Sequence, residues 1–444
     1  MSQEVISLVG ILVGIILLML LALKGHSIIW AAPLCAVVVA IFSGANILDS
    51  YLTDYMSGVG GYLIQWFPAF MLGAVYGKIM EVTGAAKSLS DKICSVIGPK
   101  YALLAVVVPA MLMTYGGISM FVVIFTLLPM AYSIYRNADI PRFLIPGAIS
   151  LGCYTITMTV LPGSPQNQNL IPTSYYGTDA MAGPLVGIAS AIIIFAVDYL
   201  YLQRKINKVK ASGQHFVADP DFVEPDQSQY DLPSWHWLSG LIPLIVVVLV
   251  LNLLPHVAGL TAAQSIIIAL ICGILTCLLM NLKQHDVFSA AVSQGAISSL
   301  TAIMNTSCAV GFGAVVKVVP GFAFLSELVL GLSAGVLLTQ SLAVNILAGA
   351  TGSASGGMGI VLESMGDQFM ERAAASGISN GILHPICSMS SGGLDTLPHN
   401  GAVNTLLSVS HTTHKESYWD ICVTSCIVPL ITSIGVSILL DLIL

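Results

Sequence analysis

Long apolar runs, each close to the length of a membrane span, follow one another along this chain with short polar punctuation between them. A helix that crosses the bilayer core needs about 20 consecutive apolar residues. Residues 5–23, 62–80, 143–160, 184–202, 237–254, 262–279, 296–319 and 418–442 meet that test. Residues 28–42 and 377–389, the latter with its continuation, are shorter candidates. Two further stretches behave differently. Residues 101–135 are too long for one span and break at Tyr115-Gly116-Gly117. Residues 325–370 break at Thr351-Gly352-Ser353-Ala354-Ser355-Gly356-Gly357. A long apolar stretch with a Gly/Ser tip is either two spans or a re-entrant hairpin.

Loop charge helps to choose between these. Lys and Arg accumulate in cytoplasmic loops. They cluster at Lys87, Lys92 and Lys100, at Arg136 and Arg142, and at Arg204, Lys205, Lys208 and Lys210. A hairpin over 101–135 keeps all three clusters on one side, whereas a single crossing splits them. The hairpin reading predicts an external N-terminus. The first apolar run opens with Glu4 rather than a basic stretch, and no small-residue cleavage site follows Ala22. It is read as the first membrane helix rather than a signal peptide.

The two halves of the chain share one order of features. Leu161-Pro162-Gly163-Ser164-Pro165-Gln166-Asn167-Gln168-Asn169-Leu170 matches Leu397-Pro398-His399-Asn400-Gly401-Ala402-Val403-Asn404-Thr405-Leu406 without gaps at Leu-Pro, at the amide Gln168/Asn404 and at the final Leu. The same offset carries Gly116 onto Gly352, Ser119 onto Ser355 and Arg136 onto Arg372. Gly73-Ala74-Val75 before Lys78 resembles Gly313-Ala314-Val315 before Lys317. The expected fold is an all-α polytopic membrane protein of two inverted repeats, each with about five transmembrane helices, a re-entrant hairpin and a helix broken at the midplane. Residues 1–203 form the first repeat, with its hairpin near 101–135 and broken helix near 143–178. Residues 204–233, basic and then acidic through Asp219, Asp221, Glu224, Asp226 and Asp231, form a cytoplasmic linker. Residues 234–444 form the second repeat, with its hairpin near 325–370 and broken helix near 377–412.

Composition agrees with that picture. Of 444 residues, 56% are hydrophobic and only 8% charged, against about 25% charged in soluble domains. Mean hydropathy is +0.90. A net charge of −7, with no basic patch, excludes nucleic-acid binding as the main role. The nine cysteines sit singly, mostly in apolar runs (Cys35, Cys153, Cys272, Cys308), and are expected to pack rather than bind metal.

The breaks carry the candidate chemistry. Pro162, Pro165 and Pro398 cannot continue a helix hydrogen-bond ladder. Polar groups and unwound backbone at membrane depth are tolerated where they line a buried or wet cavity. Substrate contacts are therefore expected from Ser164, Gln166, Asn167, Asn400 and Asn404 at the breaks. The hairpin tips add Thr114, Tyr115, Gly116, Gly117 and Ser119, and Thr351, Gly352, Ser353 and Ser355. Such N–H, OH and amide groups suit a modest carboxylate; the same glycines would also let helices pack closely. Intramembrane acids are functional candidates by default. Asp395 and His399 beside the second Leu-Pro, and Glu363 after the second tip, are the expected coupling groups. Asp198, Glu327, Asp367 and His384 also lie in apolar surroundings, and Lys78 and Lys317 are expected to snorkel at helix ends. No P-loop, G-x-S-x-G or H-E-x-x-H occurs, so neither an ATP-driven pump nor a familiar enzyme site is expected. No cofactor, catalytic residue or metal site is expected either.

The run from Gly73 through Glu81 with Thr83-Gly84-Ala85-Ala86, then Leu128-Pro129, Asn137-Ala138-Asp139-Ile140-Pro141 and Leu161-Pro162-Gly163, resembles the gluconate permease family. The resemblance runs along most of the chain and is clearest over residues 60–180. It implies proton symport of sugar acids or hydroxy-acids, and membership of a wider superfamily of ion-coupled carboxylate carriers that are homodimers with elevator motion. Gluconate-carrying members have a Glu in the first hairpin region and His near the first Leu-Pro. Here Phe121 stands near the former, and Met158 and Ser164 near the latter. The Pro165-Gln166-Asn167-Gln168-Asn169 run looks more like the branch of hydroxybutyrate or citrate permeases. The resulting expectation is a multi-pass protein of the inner (cell) membrane that carries a small hydroxy-monocarboxylate or similar organic anion with H⁺. Sodium-coupled di- or tricarboxylate symport is the alternative. A membrane-embedded enzyme or a channel is a third class, with Asp395 and His399 the one candidate catalytic pair.

Overall fold

The computed structural model describes residues 3–24, 26–219, 233–322, 335–398 and 400–444. Among them there is no strand, and eight helices are long and apolar enough to cross a membrane. Helices α1 (Gln3–Leu23) and α2 (Ile28–Ser43) pack antiparallel. Their contact is close because Gly10 faces Phe42 and Gly14 faces Val39. The hydroxyls of Ser7 and Ser43 join 2.8 Å apart where the pair ends. Helix α3 (Ile47–Val82) follows, then an amphipathic α4 (Ala85–Ile97).

Helices α5 (Ala102–Tyr115) and α6 (Met120–Asn137) pack on one another across a four-residue turn. At about 1.5 Å per residue, α5 is too short to cross a bilayer core alone. Next come α7 (Arg142–Val160), a short α8 (Asn167–Tyr176) and α9 (Pro184–Ala211). Apart from a counterpart to α4, absent among the described residues, elements of the same kind then recur in the same order. They are α10 (Trp237–Ala258), α11 (Ala262–Met280), α12 (Leu282–Val318), a paired α13 (Val336–Thr351) and α14 (Ala354–Ala375), α15 (Asn380–Ser391), a short α16 (Gly401–Val409) and α17 (His414–Ile443).

Three boundaries differ from the hydropathy reading. Helix α3 starts at Ile47, not near residue 62, and α12 starts at Leu282, not near 296. Asp49, Asp54 and Ser57 interrupt the apolar run without interrupting the helix. They need not face lipid, because this end of α3 lies against α12: a Cβ on Gly58 would sit 2.9 Å from the Gly311 Cα. Helix α9 continues through Arg204 and Lys205 to Ala211, so the linker expected from 204 begins as helix. Arg and Lys are good helix formers, and Lys205 is held 2.5 Å from Asp420. Residues 325–334 of the expected second hairpin, with Glu327, lie outside the described residues, as do His399, Asp221, Glu224, Asp226 and Asp231.

Two packed groups emerge. Antiparallel α3 and α12 form the most extensive helix contact, with α11 joining α3 and α2 joining α12. Small residues set the approach: a Cβ on Gly295 would lie 2.6 Å from the Val75 Cα. The second group interlocks both helix pairs with both broken helices. Helix α8 packs on α14, and α16 on α6, so each pair is covered by the other half's short helix. Arg142 donates to the Ser410 and His411 carbonyls, and Tyr176 donates to Gln340 at 2.9 Å.

Candidate functional site

Each break is tied to the tip of its own helix pair by an amide. Gln166 stands at the N-cap of α8 and donates through Nε2 to the Thr114 carbonyl at 2.7 Å and the Ile118 carbonyl at 3.4 Å. Asn400 stands at the N-cap of α16 and donates through Nδ2 to the Gly352 carbonyl at 2.9 Å. The ungapped sequence register pairs Asn400 with Ser164; in structural role its counterpart is Gln166, two positions further on. Asn400 also donates to the Asp395 carbonyl at 3.0 Å and accepts from the backbone N–H groups of Ala402 and Val403. It therefore caps α16 and fixes the break and the tip together.

The first break has further ties. Gly163 takes φ +78°, and its N–H donates to the Ala180 carbonyl at 2.7 Å. Tyr115 donates from the first tip to the Pro162 carbonyl at 2.9 Å, and Asn252 on α10 donates to the Gly163 carbonyl at 3.0 Å. Ser164 is buried and donates to the Thr157 carbonyl. Gly117, at φ +94°, leaves room for Pro165: a Cβ there would meet its ring at 3.1 Å. At the second tip Ser353 caps α14 through the Gly356 N–H, and Thr351 turns back onto the Leu347 and Ser353 carbonyls. Ser355 points instead at α12, with its Oγ 3.2 Å from that of Thr306. Gly356 and Gly357 continue the helix. A Cβ on Gly357 would lie 2.1 Å from the Ala348 N, so this glycine serves close packing rather than ligand access.

The breaks themselves come together. Tyr154, buried on α7, donates to the Ala402 carbonyl at 2.7 Å, and Ser388 on α15 donates to the Thr159 carbonyl at 2.8 Å. His384 joins both halves: Nε2 lies 3.2 Å from the Asn169 Oδ1, and Nδ1 lies 2.7 Å from the Thr178 hydroxyl. Nothing in the local sequence flagged Asn252, one polar residue in an apolar run, or tied Tyr154 and Ser388 to the breaks, whereas Asn169 stands in the Pro165–Asn169 run noted above. Asp395 is buried with its Oδ1 unpartnered, and Thr114 is buried with its hydroxyl unpartnered. Asn167 is half-buried at the first residue of α8, Asn404 is exposed, and Ser119 is half-buried. Among the described residues no recorded hydrogen bond links the two tips to each other.

Glu363 lies elsewhere. It lines a cavity of about 420 Å³ between α3, α8, α12 and α14, together with Asp54, Tyr62, Gln65, Tyr175 and Lys317. Tyr175 donates to its Oε2 at 3.2 Å. Lys317 does reach outward, 3.6 Å from Asp367, and Lys78 pairs with Glu81 at 2.8 Å. All nine cysteines are free, and no metal-binding cluster occurs among the described residues.

Buried polar breaks, amide-tied tips and a polar-lined cavity between two helix groups describe a carrier more readily than an enzyme. Comparison with known proteins decides the family, since residues 6–355 match the model of the GntP family permease. The chain belongs to the GntP permease family. An uncharacterized transporter, YxjC of Bacillus subtilis, is 37% identical over 449 residues, covering 93% of this GntP chain and 94% of that protein. The high-affinity gluconate transporter of Escherichia coli is 26% identical over 244 residues, about half of each chain (54% and 51%). The L-idonate transporter of its Gnt-II system is 24% identical over a similar extent. Among solved structures, MtrF of Neisseria gonorrhoeae, described as one of a class of antimetabolite efflux pumps, superposes with a TM-score of 0.52. It covers 90% of this chain and 86% of its own at 13% identity, a likeness of fold. This GntP protein is thus a multi-helix membrane transporter rather than an enzyme.

Proposed function

We propose that this permease is a secondary active symporter that couples entry of a small organic anion, a hydroxy-monocarboxylate or sugar acid, to entry of H⁺. The observation that carries the proposal is the pair of amide-tied breaks. Gln166 and Asn400 hold two hairpin tips against two unwound segments, leaving neutral donors and helix N-termini around one polar locus. Such a locus accommodates a carboxylate without a fixed cation. The relatives named for gluconate and L-idonate support the substrate class. The absence of their expected Glu and His, with Phe121, Met158 and Ser164 instead, favours a smaller hydroxy-acid of the hydroxybutyrate type.

The two halves act as inverted repeats, and the hairpins are re-entrant. The recurring order of elements supports this, as does the gathering of Arg142, Asp219, Lys210 and the Ala138 carbonyl at one end of the molecule. Motion is of the elevator kind: the interlocked hairpins and broken helices slide as a body along the α3–α12 pair. Small residues at that contact support it, since Gly313 lies against the Ile360 backbone and Gly356 against Ala309. Substrate contacts come from both breaks and tips, and coupling from Asp395, His399 and Glu363. Assembly as a homodimer and residence in the inner membrane belong to the same reading. The test is uptake of labelled 3-hydroxybutyrate and gluconate into proteoliposomes under imposed gradients. Proton-driven uptake supports the proposal, and uptake driven only by sodium transfers it to the sodium-coupled alternative.

A further inference from the structure

Helix α9 carries one acid inside its apolar run, Asp198. Ser190, Ile194, Asp198 and Leu202 recur every fourth residue and are all buried, so they form the face turned to the protein. Leu185, Ile192 and Ile193 are exposed on the opposite side. Through its buried face α9 packs on α7, α15 and α17. A Cβ on Gly187 would lie 2.8 Å from the Val160 carbonyl oxygen and 2.9 Å from the Pro162 ring, so α9 leans directly on the first break. It belongs with the group that interlocks the broken helices.

Asp198 is fully buried, and neither of its carboxyl oxygens has a hydrogen-bond partner among the described residues. Burial acts on it, and no charged side chain does. The ionisable groups of the surrounding helices are turned elsewhere. On α7, Arg142 reaches Asp219 and Tyr154 reaches the Ala402 carbonyl. On α15, His384 meets Asn169 and Thr178. On α17, His414, Lys415 and Glu416 are exposed at its start. Tyr418 donates to the Thr396 carbonyl, and Asp441 accepts from the first turn of α13. The cysteines of these helices make no bond to Asp198. Asp420 lies on the same side, beside Leu202 at Gly147, but its Oδ1 is taken by Tyr201 and Lys205.

An ionised carboxylate left this bare has nothing to replace its lost water. A buried carboxyl kept for structure makes hydrogen bonds, and this one makes none. A metal ion needs several ligands, and no such cluster occurs among the described residues. The particle that neutralises a single carboxylate without further ligands is a proton. An acid so placed in a membrane helix is a functional candidate. A way out lies one turn along. Tyr201 is half-buried and within electrostatic reach of both Asp198 and Asp420. Lys205 is partly exposed beside Arg204 and Lys208. On the charge reading above, that end is cytoplasmic.

We propose that Asp198 is a proton-binding site of the transport cycle, holding the coupled proton in this conformation and releasing it past Tyr201 to cytoplasmic water. On release the O–H bond of the acid breaks, its electron pair stays on the carboxylate and the proton passes to water. The inference rests on the proton-symport reading and deepens it, by putting a coupled proton on the helix behind the breaks. Exchange of external for internal substrate never requires that proton to leave the carrier, whereas net uptake does.

The test compares both modes in proteoliposomes holding the full-length protein, with labelled 3-hydroxybutyrate and gluconate. Asp198→Asn has the shape of the protonated acid. It is expected to keep most of the exchange and to lose proton-driven accumulation by about tenfold or more. Asp198→Glu returns a carboxyl and is expected to recover part of the accumulation. Wild-type accumulation in Asp198→Asn, or equal loss of exchange and accumulation in the folded variant, overturns the site and leaves the symport reading intact. Should the asparagine variant not fold, Asp198→Glu decides. An altered pH profile of accumulation is expected, and an unchanged one overturns the site. Failure of the wild type to accumulate either acid under an inward proton gradient overturns both readings.

Discussion

Asn400 offers the sharpest separation of structural roles. Its side chain makes four hydrogen bonds: two accepted from the Ala402 and Val403 N–H groups, and two donated to the Gly352 and Asp395 carbonyls. Loss of an N-cap costs about 1 kcal/mol. Each lost bond to a buried carbonyl costs about 1 kcal/mol more. Asn400→Ala removes all four and is expected to destabilise by about 3 kcal/mol. Asn400→Ser keeps a capping oxygen but cannot reach the tip, so about 2 kcal/mol is lost. If the tip tie organises the site, Asn400→Ser must also lower uptake, by about tenfold or more, since 1.4 kcal/mol corresponds to a factor of ten. Thermal unfolding of the purified protein, beside uptake in proteoliposomes, reads both effects. A serine variant with wild-type uptake and stability would refute the role given to the tie. Gln166→Ala, in a separate tip, is expected to add to it.

Asp395→Asn and Asn167→Ala are each expected to reduce uptake strongly while the purified protein stays folded and monodisperse; wild-type uptake in both would displace the site from the breaks. Lys205→Gln removes the counter-charge of the fully buried Asp420, leaving the Tyr201 hydroxyl on its Oδ1 and an Oδ2 that is already unpartnered. A loss of about 2–4 kcal/mol in unfolding is expected, and Lys205→Gln with Asp420→Asn should recover much of it. His236, outside the spans, is buried between Ser88 and Asn281, and burial pulls its pKa below the ordinary histidine value. The folded state therefore holds fewer protons than the unfolded one, and stability falls as pH drops below about 6.5. His236→Asn is expected to flatten that decline in melting temperature.

How far the chain could be read in advance depended on periodicity and on punctuation. Apolar runs located the membrane helices, because lipid demands length and little charge. The Leu-Pro breaks and Gly tips were visible because proline and glycine act on the backbone directly. What escaped was any helix whose polar residues face a partner or a cavity. Asp54 and Ser57 cut the apolar run, yet the helix continues from Ile47, since Gly58 and Gly311 bring α3 and α12 together. The site was legible by type and not by partner. Glycines at 356 and 357 looked like tip residues and are packing positions, Gly356 towards Ala309 on α12 and Gly357 against Ala348 on α13. Glu363 looked like a neighbour of the breaks and instead lines a separate cavity, because α14 carries it more than two turns beyond its tip. The roles of Tyr154, His384 and Asn252 needed the tertiary fold, as their partners are distant in sequence.

The central claim is coupled transport of an organic anion. Its most direct test is the uptake of labelled 3-hydroxybutyrate and gluconate by proteoliposomes, with pH and sodium gradients imposed separately. An inward proton gradient is predicted to drive accumulation of at least one of these acids without sodium, and a protonophore to abolish it. Uptake indifferent to both gradients, or none of either acid, would contradict the account.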